Sequence, residues 1–162
     1  MTETKPAPSA IGLNVPDFTV PATGGEFTLS AYRGKSVVLY FYPKDNTPGC
    51  TTESTQFRDM HAKFQKLGCG IYGISRDSLK SHENFKAKFE FPFDLLSDTE
   101  EKACALFGVI KMKNMYGKQV QGIERSTFLI DREGRLACEW RKVSVKGHVA
   151  KVLEAVRELA DK

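Results

Sequence analysis

No apolar run in this sequence approaches a membrane span. The longest, Val37-Val38-Leu39-Tyr40-Phe41-Tyr42, falls far short of the ~20 residues a bilayer requires. The first ten residues hold Glu3, Lys5 and two prolines but no apolar segment, so they read as a loose arm over 1–10 and not as an export signal. A cytoplasmic protein without a membrane partner is therefore expected. Cysteine is sparse: Cys50, Cys69, Cys104 and Cys138 contain no C-x-x-C pair, and a reducing compartment argues against structural disulfides. His61, His82 and His148 lie near none of them at zinc-ligand spacing, so no metal is expected. Blocks of one charge are missing as well. The net charge of +4 is spread along the chain, which argues for a solvated surface and against a nucleic-acid partner. Internal repeats and low-complexity stretches are absent too.

What is present suffices for a packed core. The chain has 162 residues, 41% hydrophobic and 27% charged, which predicts one globular domain over 11–162 after the arm. Short apolar pieces around Phe18-Val20 and Glu26-Leu29, separated by Pro21 and Gly24-Gly25, predict an N-terminal β-hairpin. Ser36 to Tyr42 is apolar on both faces, as a central strand buried on two sides must be. Phe57, Met60, Phe64 and Leu67 recur at helical spacing and predict a helix over Thr51–Leu67, ended by Gly68.

Gly70–Ser75 reads as a second buried strand. Ser78–Lys88 reads as a helix with Leu79, His82, Phe85 and Phe89 on one stripe. Phe91–Leu96 reads as extended, and Asp98–Phe107 as a short helix capped by Ser97 or Asp98. Ser126–Ile130 and Leu136–Trp140 flank the turn Asp131-Arg132-Glu133-Gly134, and a last helix is expected over Lys146–Ala160. Strands alternating with helices, closed by an antiparallel hairpin, predict an α/β fold: a central mixed sheet with helices on both faces, in the order a thioredoxin-like fold requires.

The chemistry collects in Phe41-Tyr42-Pro43-Lys44-Asp45-Asn46-Thr47-Pro48-Gly49-Cys50-Thr51-Thr52-Glu53, which joins a buried strand to a helix. Active sites of α/β sheets gather at the carboxyl ends of strands. Cys50 falls in the first turn of the helix, where unpaired N–H groups and the helix dipole favour an anion. A thiol of pKa about 8.5 is only ~3% thiolate at neutral pH, and lowering that value to about 6 would raise the reactive fraction ~30-fold. Pro48 and Gly49 remove bulk beside the sulfur. Thr47 is placed to hydrogen-bond a substrate oxygen or merely to stabilise its own turn. Arg125, just before the strand Ser126–Ile130, sits at a strand mouth, where a guanidinium could stabilise a thiolate and a departing oxyanion, or simply face solvent.

Pro43-x-x-x-Thr47-x-x-Cys50 matches the peroxiredoxin signature. The surrounding Tyr-Pro-Lys-Asp and Thr-Pro-Gly-Cys-Thr-x-Glu resemble the bacterioferritin comigratory protein, or Q, subfamily. The likeness extends from about Gly12 to the C-terminal helix, through Gly73-Ile74-Ser75, Ala105-Leu106-Phe107-Gly108-Val109 and Glu124-Arg125-Ser126-Thr127-Phe128-Leu129-Ile130. The resemblance implies a thiol peroxidase. Cys50 would be the peroxidatic cysteine, attacking the terminal oxygen of hydrogen peroxide or an organic hydroperoxide and becoming a sulfenic acid. Thr47 and Arg125 would hold the peroxide, Pro43 would shield the pocket, and Glu53 would orient Arg125. No cofactor is implied, and a monomer is expected.

The resemblance does not extend to a second cysteine. The positions where relatives often carry a resolving cysteine are Thr55 and Lys86 here. Cys69, Cys104 and Cys138 each read as structural, so an external thiol is expected to resolve the sulfenic acid. Thioredoxin or a glutaredoxin/glutathione system would supply it; one of the three cysteines or an intersubunit disulfide is the alternative. Two rival functions share the fold: a thioredoxin-type disulfide oxidoreductase, opposed by the missing C-x-x-C, and a non-enzymatic redox-sensing or chaperone module.

Overall fold

The computed structural model describes residues 10–161, apart from the side chain of Met115, so the arm expected over 1–10 lies outside the described residues except for Ala10. The chain opens with the expected hairpin, β1 (Thr19–Ala22) against β2 (Gly25–Thr28), followed by a single 3₁₀ turn over Leu29–Tyr32. Then β3 (Ser36–Phe41) runs through the centre with every residue buried. After the loop comes α1 (Pro48–Lys66), β4 (Cys69–Ser75), α2 (Leu79–Phe89), β5 (Leu95–Ser97) and α3 (Lys102–Phe107). The chain closes with β6 (Ile110–Met115), β7 (Lys118–Ile123), β8 (Ser126–Ile130), β9 (Leu136–Trp140) and α4 (His148–Ala160).

Seven strands form one mixed sheet in the order β2-β1-β5-β4-β3-β8-β9. β3, β4 and β5 are parallel, whereas β8 and β9 add antiparallel at one edge and β1 and β2 at the other. The strand pleat sends Val37, Leu39 and Phe41 of β3 to one face, where they meet Phe27, Phe107 and Phe128. Val38, Tyr40 and Tyr42 go to the other, against Phe57 and Phe64 of α1, Phe85 of α2 and Val152 and Val156 of α4. Helices thus cover both faces, as the alternation of elements predicts. Tyr40 anchors α1 twice: its ring stacks on Phe57 with centroids 4.6 Å apart, and its hydroxyl donates to Ser54 Oγ at 2.9 Å.

The structure revises some element ends. α1 begins at Pro48, three residues before the expected start at Thr51, because proline is pre-organised for the first helical position and the helix needs no donor there. α3 begins at Lys102 and not at Asp98, since Glu101 takes the left-handed conformation and breaks the turn. Asp98 still serves the helix start, accepting from the Lys102 and Cys104 amides at 2.8 Å each. The β6–β7 hairpin was not expected from the sequence. Its strands are mostly exposed and lysine-rich, with no alternation toward a core, and its two-residue turn holds Tyr116 and Gly117 both at positive φ, the geometry that matches strand twist.

Candidate active site

β3 delivers the chain into the loop at its carboxyl end, and α1 starts directly beyond. Asp45 pins this loop from within. One carboxylate oxygen accepts from Tyr42 Oη at 2.6 Å, and the other meets Ser81 Oγ at 2.8 Å and His82 Nδ1 at 2.7 Å. The opposite ring nitrogen of His82 lies 2.8 Å from the Leu96 carbonyl. The buried ring is thus held at both nitrogens, between the Asp45 carboxylate and the Leu96 carbonyl. Asp77 completes the anchor, accepting from the Asp45 amide at 2.9 Å and from Ser75 Oγ at 2.6 Å.

Asp45, Asp77 and His82 gather within 4.8 Å of one another, the separation a metal ion would need. Their donor atoms are nevertheless committed to these hydrogen bonds, so the set is a structural tie and fits a cation poorly. The sequence placed His82 on an apolar stripe and missed this role; its pairing with Asp45 spans 37 residues and leaves no local signal.

Thr47 is the residue before the helix, and its backbone carbonyl accepts the first helical bond from the Thr51 amide at 2.8 Å. Its side chain does not cap the helix. The hydroxyl donates to the Lys44 carbonyl at 2.8 Å, so the turn-stabilising role is realised. That geometry has two consequences. The first-turn amides of Gly49 and Cys50 are left without a side-chain cap, and the Thr47 oxygen, its proton already given, is left to accept. Pro43 stands half-buried in the same loop.

Cys50, in the first turn of α1, is 1% exposed. Arg125 reaches it from across the sheet. Register pairs Ser126 of β8 with Phe41 at the end of β3, so the residue before β8 emerges at the mouth of the loop. Arg125 Nη2 donates to Cys50 Sγ at 3.4 Å, and Nη1 donates to Glu53 Oε1 at 2.8 Å. Gly49 allows the approach: a Cβ there would stand 3.1 Å from Nη2. One guanidinium therefore bridges the sulfur and a fully buried carboxyl one turn along the same helix.

Burial pushes the Glu53 carboxyl up to about 7, with the Arg125 charge and hydrogen bond only partly offsetting it. For Arg125, burial opposes the charge, but Glu53 and Cys50 outweigh it and hold the group above its ordinary value. Arg125 also lines an open cavity of about 390 Å³ with Lys111, Lys113, Lys142, Glu124 and Met112, a mostly cationic recess bordered by the β6–β7 hairpin.

The other cysteines lie apart from Cys50 by their placement in the fold. Cys69 opens β4 at the end of the sheet opposite the site, where burial pushes its thiol up to about 11. Cys104 packs in the cluster on the other sheet face, and burial raises its thiol further. Cys138 lies on β9, paired with Leu129. Thr55 donates to the Thr52 carbonyl within α1, and Lys86 pairs with Asp94 at 2.7 Å.

Comparison with known proteins establishes the family. A family model described as the AhpC/TSA family matches residues 11–138. The chain is 52% identical over 153 residues to Peroxiredoxin Bcp of Bacillus subtilis, spanning 94% of this chain and 98% of that one. The solved structure of Xanthomonas campestris Peroxiredoxin Q superposes with a TM-score of 0.87 at 52% identity, covering 93% of this chain and 98% of the other. A second structure, of the bacterioferritin comigratory protein of that organism and concerned with its alkyl peroxide reduction activity, gives 0.87 at 51% identity, with 93% and 99% coverage. On the family match and these identities, the chain belongs to the AhpC/TSA family as a thioredoxin-fold peroxiredoxin of the Bcp/Q type.

Proposed function

We propose that the protein is a thiol-dependent peroxidase acting on hydrogen peroxide and organic hydroperoxides through Cys50. The Arg125 bridge carries the reading, because it sets a fixed cation against both the sulfur and a buried carboxyl. The Cys50 thiolate attacks the terminal oxygen of the hydroperoxide. The S–O bond forms as the O–O bond breaks, sulfur is oxidised to the sulfenic acid, and the departing alkoxide or hydroxide takes a proton to leave as alcohol or water. Thr47, its own proton committed to Lys44, accepts from the hydroperoxide O–H. The first-turn amides and Arg125 meet the charge that develops on the leaving oxygen, while Glu53 keeps Arg125 in place and Pro43 shields the pocket.

An external thiol then reduces the sulfenic acid, by thioredoxin or a glutaredoxin/glutathione system. The reading is supported by Thr55 and Lys86 at the usual resolving positions and by the distant settings of Cys69 and Cys104. The protein acts in this reading as a cytoplasmic monomer in antioxidant defence. The test is consumption of hydrogen peroxide and of an organic hydroperoxide by the reduced protein, with each candidate reductant supplied in turn. Cys50→Ser, nearly isosteric, should abolish turnover and leave the fold intact; full turnover in that variant would end the proposal.

A further inference from the structure

Among the described residues, a single buried side-chain nitrogen or oxygen lacks a hydrogen-bond partner, and it is Glu53 Oε2. Its twin, Oε1, is spent on Arg125. A carboxyl oxygen withdrawn from water without a donor is costly, so its neighbour matters. That neighbour is His148, whose Nε2 lies 3.9 Å from Oε2 and 2.8 Å from Thr127 Oγ1.

His148 opens α4 after Gly147, which takes a positive φ, and its ring is set edge-on between Phe57 and Trp140. The same residue lines a surface cavity of about 220 Å³ with Trp140 and Lys151, so it stands between solvent and a carboxyl that has no exposure of its own. A closing of about 1 Å would bring Nε2 within hydrogen-bond distance of Oε2.

We propose that His148 is a positioning residue of the peroxidatic site: its Nε2–H, shared between Thr127 and the open Glu53 oxygen, favours the carboxylate form of Glu53 and so keeps Arg125 anchored against Cys50. The inference rests on the thiol peroxidase reading. Burial, with repulsion from Lys151 and Arg125, pushes the imidazole down to about 4, so near neutral pH it acts as a neutral donor and not as a cation. Glu53, raised by burial to about 7, is then close to half ionised, where a donor has its greatest leverage.

The charged and titratable groups around the pair are Cys50 and Glu53 of α1, Arg125 before β8, Tyr40 of β3, Lys113 of β6 and Lys151 of α4. Among these, Arg125 alone donates to Glu53, and it does so to the other oxygen.

The test follows Glu53 directly by ¹³C carboxyl NMR titration of the reduced protein, and follows Cys50 by its second-order oxidation with hydrogen peroxide from pH 5.5 to 9. His148→Phe, which keeps the ring and removes the donor, should raise the Glu53 midpoint by about one pH unit and slow oxidation at pH 7 about fivefold, with recovery at the alkaline end. His148→Gln should restore most of both, because its amide can donate. Thr127→Val, which leaves the imidazole to Glu53 alone, should move the midpoint the opposite way, and it serves equally if His148→Phe does not fold. In a Glu53→Gln background, His148→Phe should cost nothing further. An unmoved midpoint and rate profile in the folded variants, or losses that add with Glu53→Gln, would overturn the inference. Were wild-type Cys50 to react no faster than an ordinary thiol, the peroxidase reading would fall, and the carboxyl titration would still decide whether His148 governs Glu53.

Discussion

Glu53 and His148 predict opposite pH dependences of folding stability that nearly cancel until one of them is removed. Glu53 rises from 4.5 to about 7 through burial, the Arg125 charge notwithstanding. His148 falls from 6.5 to about 4, again chiefly through burial. From about pH 4.5 to 7 the folded state holds the Glu53 proton that the unfolded chain has released, so this carboxyl makes stability fall as pH rises. From about 4 to 6.5 the unfolded chain holds the His148 proton that the folded state lacks, so the imidazole makes stability rise with pH and its contribution is lost on acidification. Each window is wide enough for roughly 3 kcal/mol, and where the two overlap their slopes oppose each other.

Urea denaturation of the reduced protein, followed by far-ultraviolet circular dichroism from pH 4 to 8, measures this when wild type is subtracted from each variant, which removes the background of other titrating groups. Glu53→Gln should become more stable relative to wild type as pH rises through the Glu53 window. His148→Phe should become less stable relative to wild type as pH rises through the His148 window. Each difference curve should span about 3 kcal/mol. Flat difference curves, or two of the same sign, would refute the opposed shifts.

Three further outcomes follow from the geometry. Arg125→Ala should slow peroxide oxidation of Cys50 by about 10²–10³-fold in stopped-flow measurements, and Arg125→Lys should recover little of it, since an ammonium cannot bridge sulfur and carboxyl with a planar fork. Gly49→Ala brings a methyl to 3.1 Å from Arg125 Nη2 and should lower the same rate constant about tenfold with little change in the urea midpoint. Asp45→Ala leaves the buried Tyr42 hydroxyl and His82 Nδ1 without their partner and should cost about 2–3 kcal/mol in the same denaturation assay, a loss that a surface loop carboxylate would not produce.

What the sequence revealed about this site is what local chain chemistry encodes. A buried apolar strand, a proline–glycine turn and a helix start lie within a few residues of one another, so the position of Cys50 in the first turn could be read directly. Arg125 could be placed at a strand mouth because a short strand follows it, with a solvent-facing role left open by position alone; antiparallel pairing of β8 with β3 brings it to the same end of the sheet as Cys50. The polar partners were illegible for the converse reason. His82 occupies a position at helical spacing with Leu79, Phe85 and Phe89, and burial alone does not distinguish a histidine packed among phenylalanines from one held between a carboxylate and a carbonyl.

His148 was likewise read only as a residue in the first turn of the helix expected over Lys146–Ala160, although its ring lies beside a carboxyl contributed by α1. The β6–β7 hairpin escaped because neither strand owes its place to a buried face; its register rests on the Tyr116-Gly117 turn, where a bulky residue accepts a positive φ that sequence preference disfavours. Local pattern located the nucleophile, and the family resemblance singled out its cation. The groups that set their charge come from elements far apart in the chain, and only the folded arrangement brings them together.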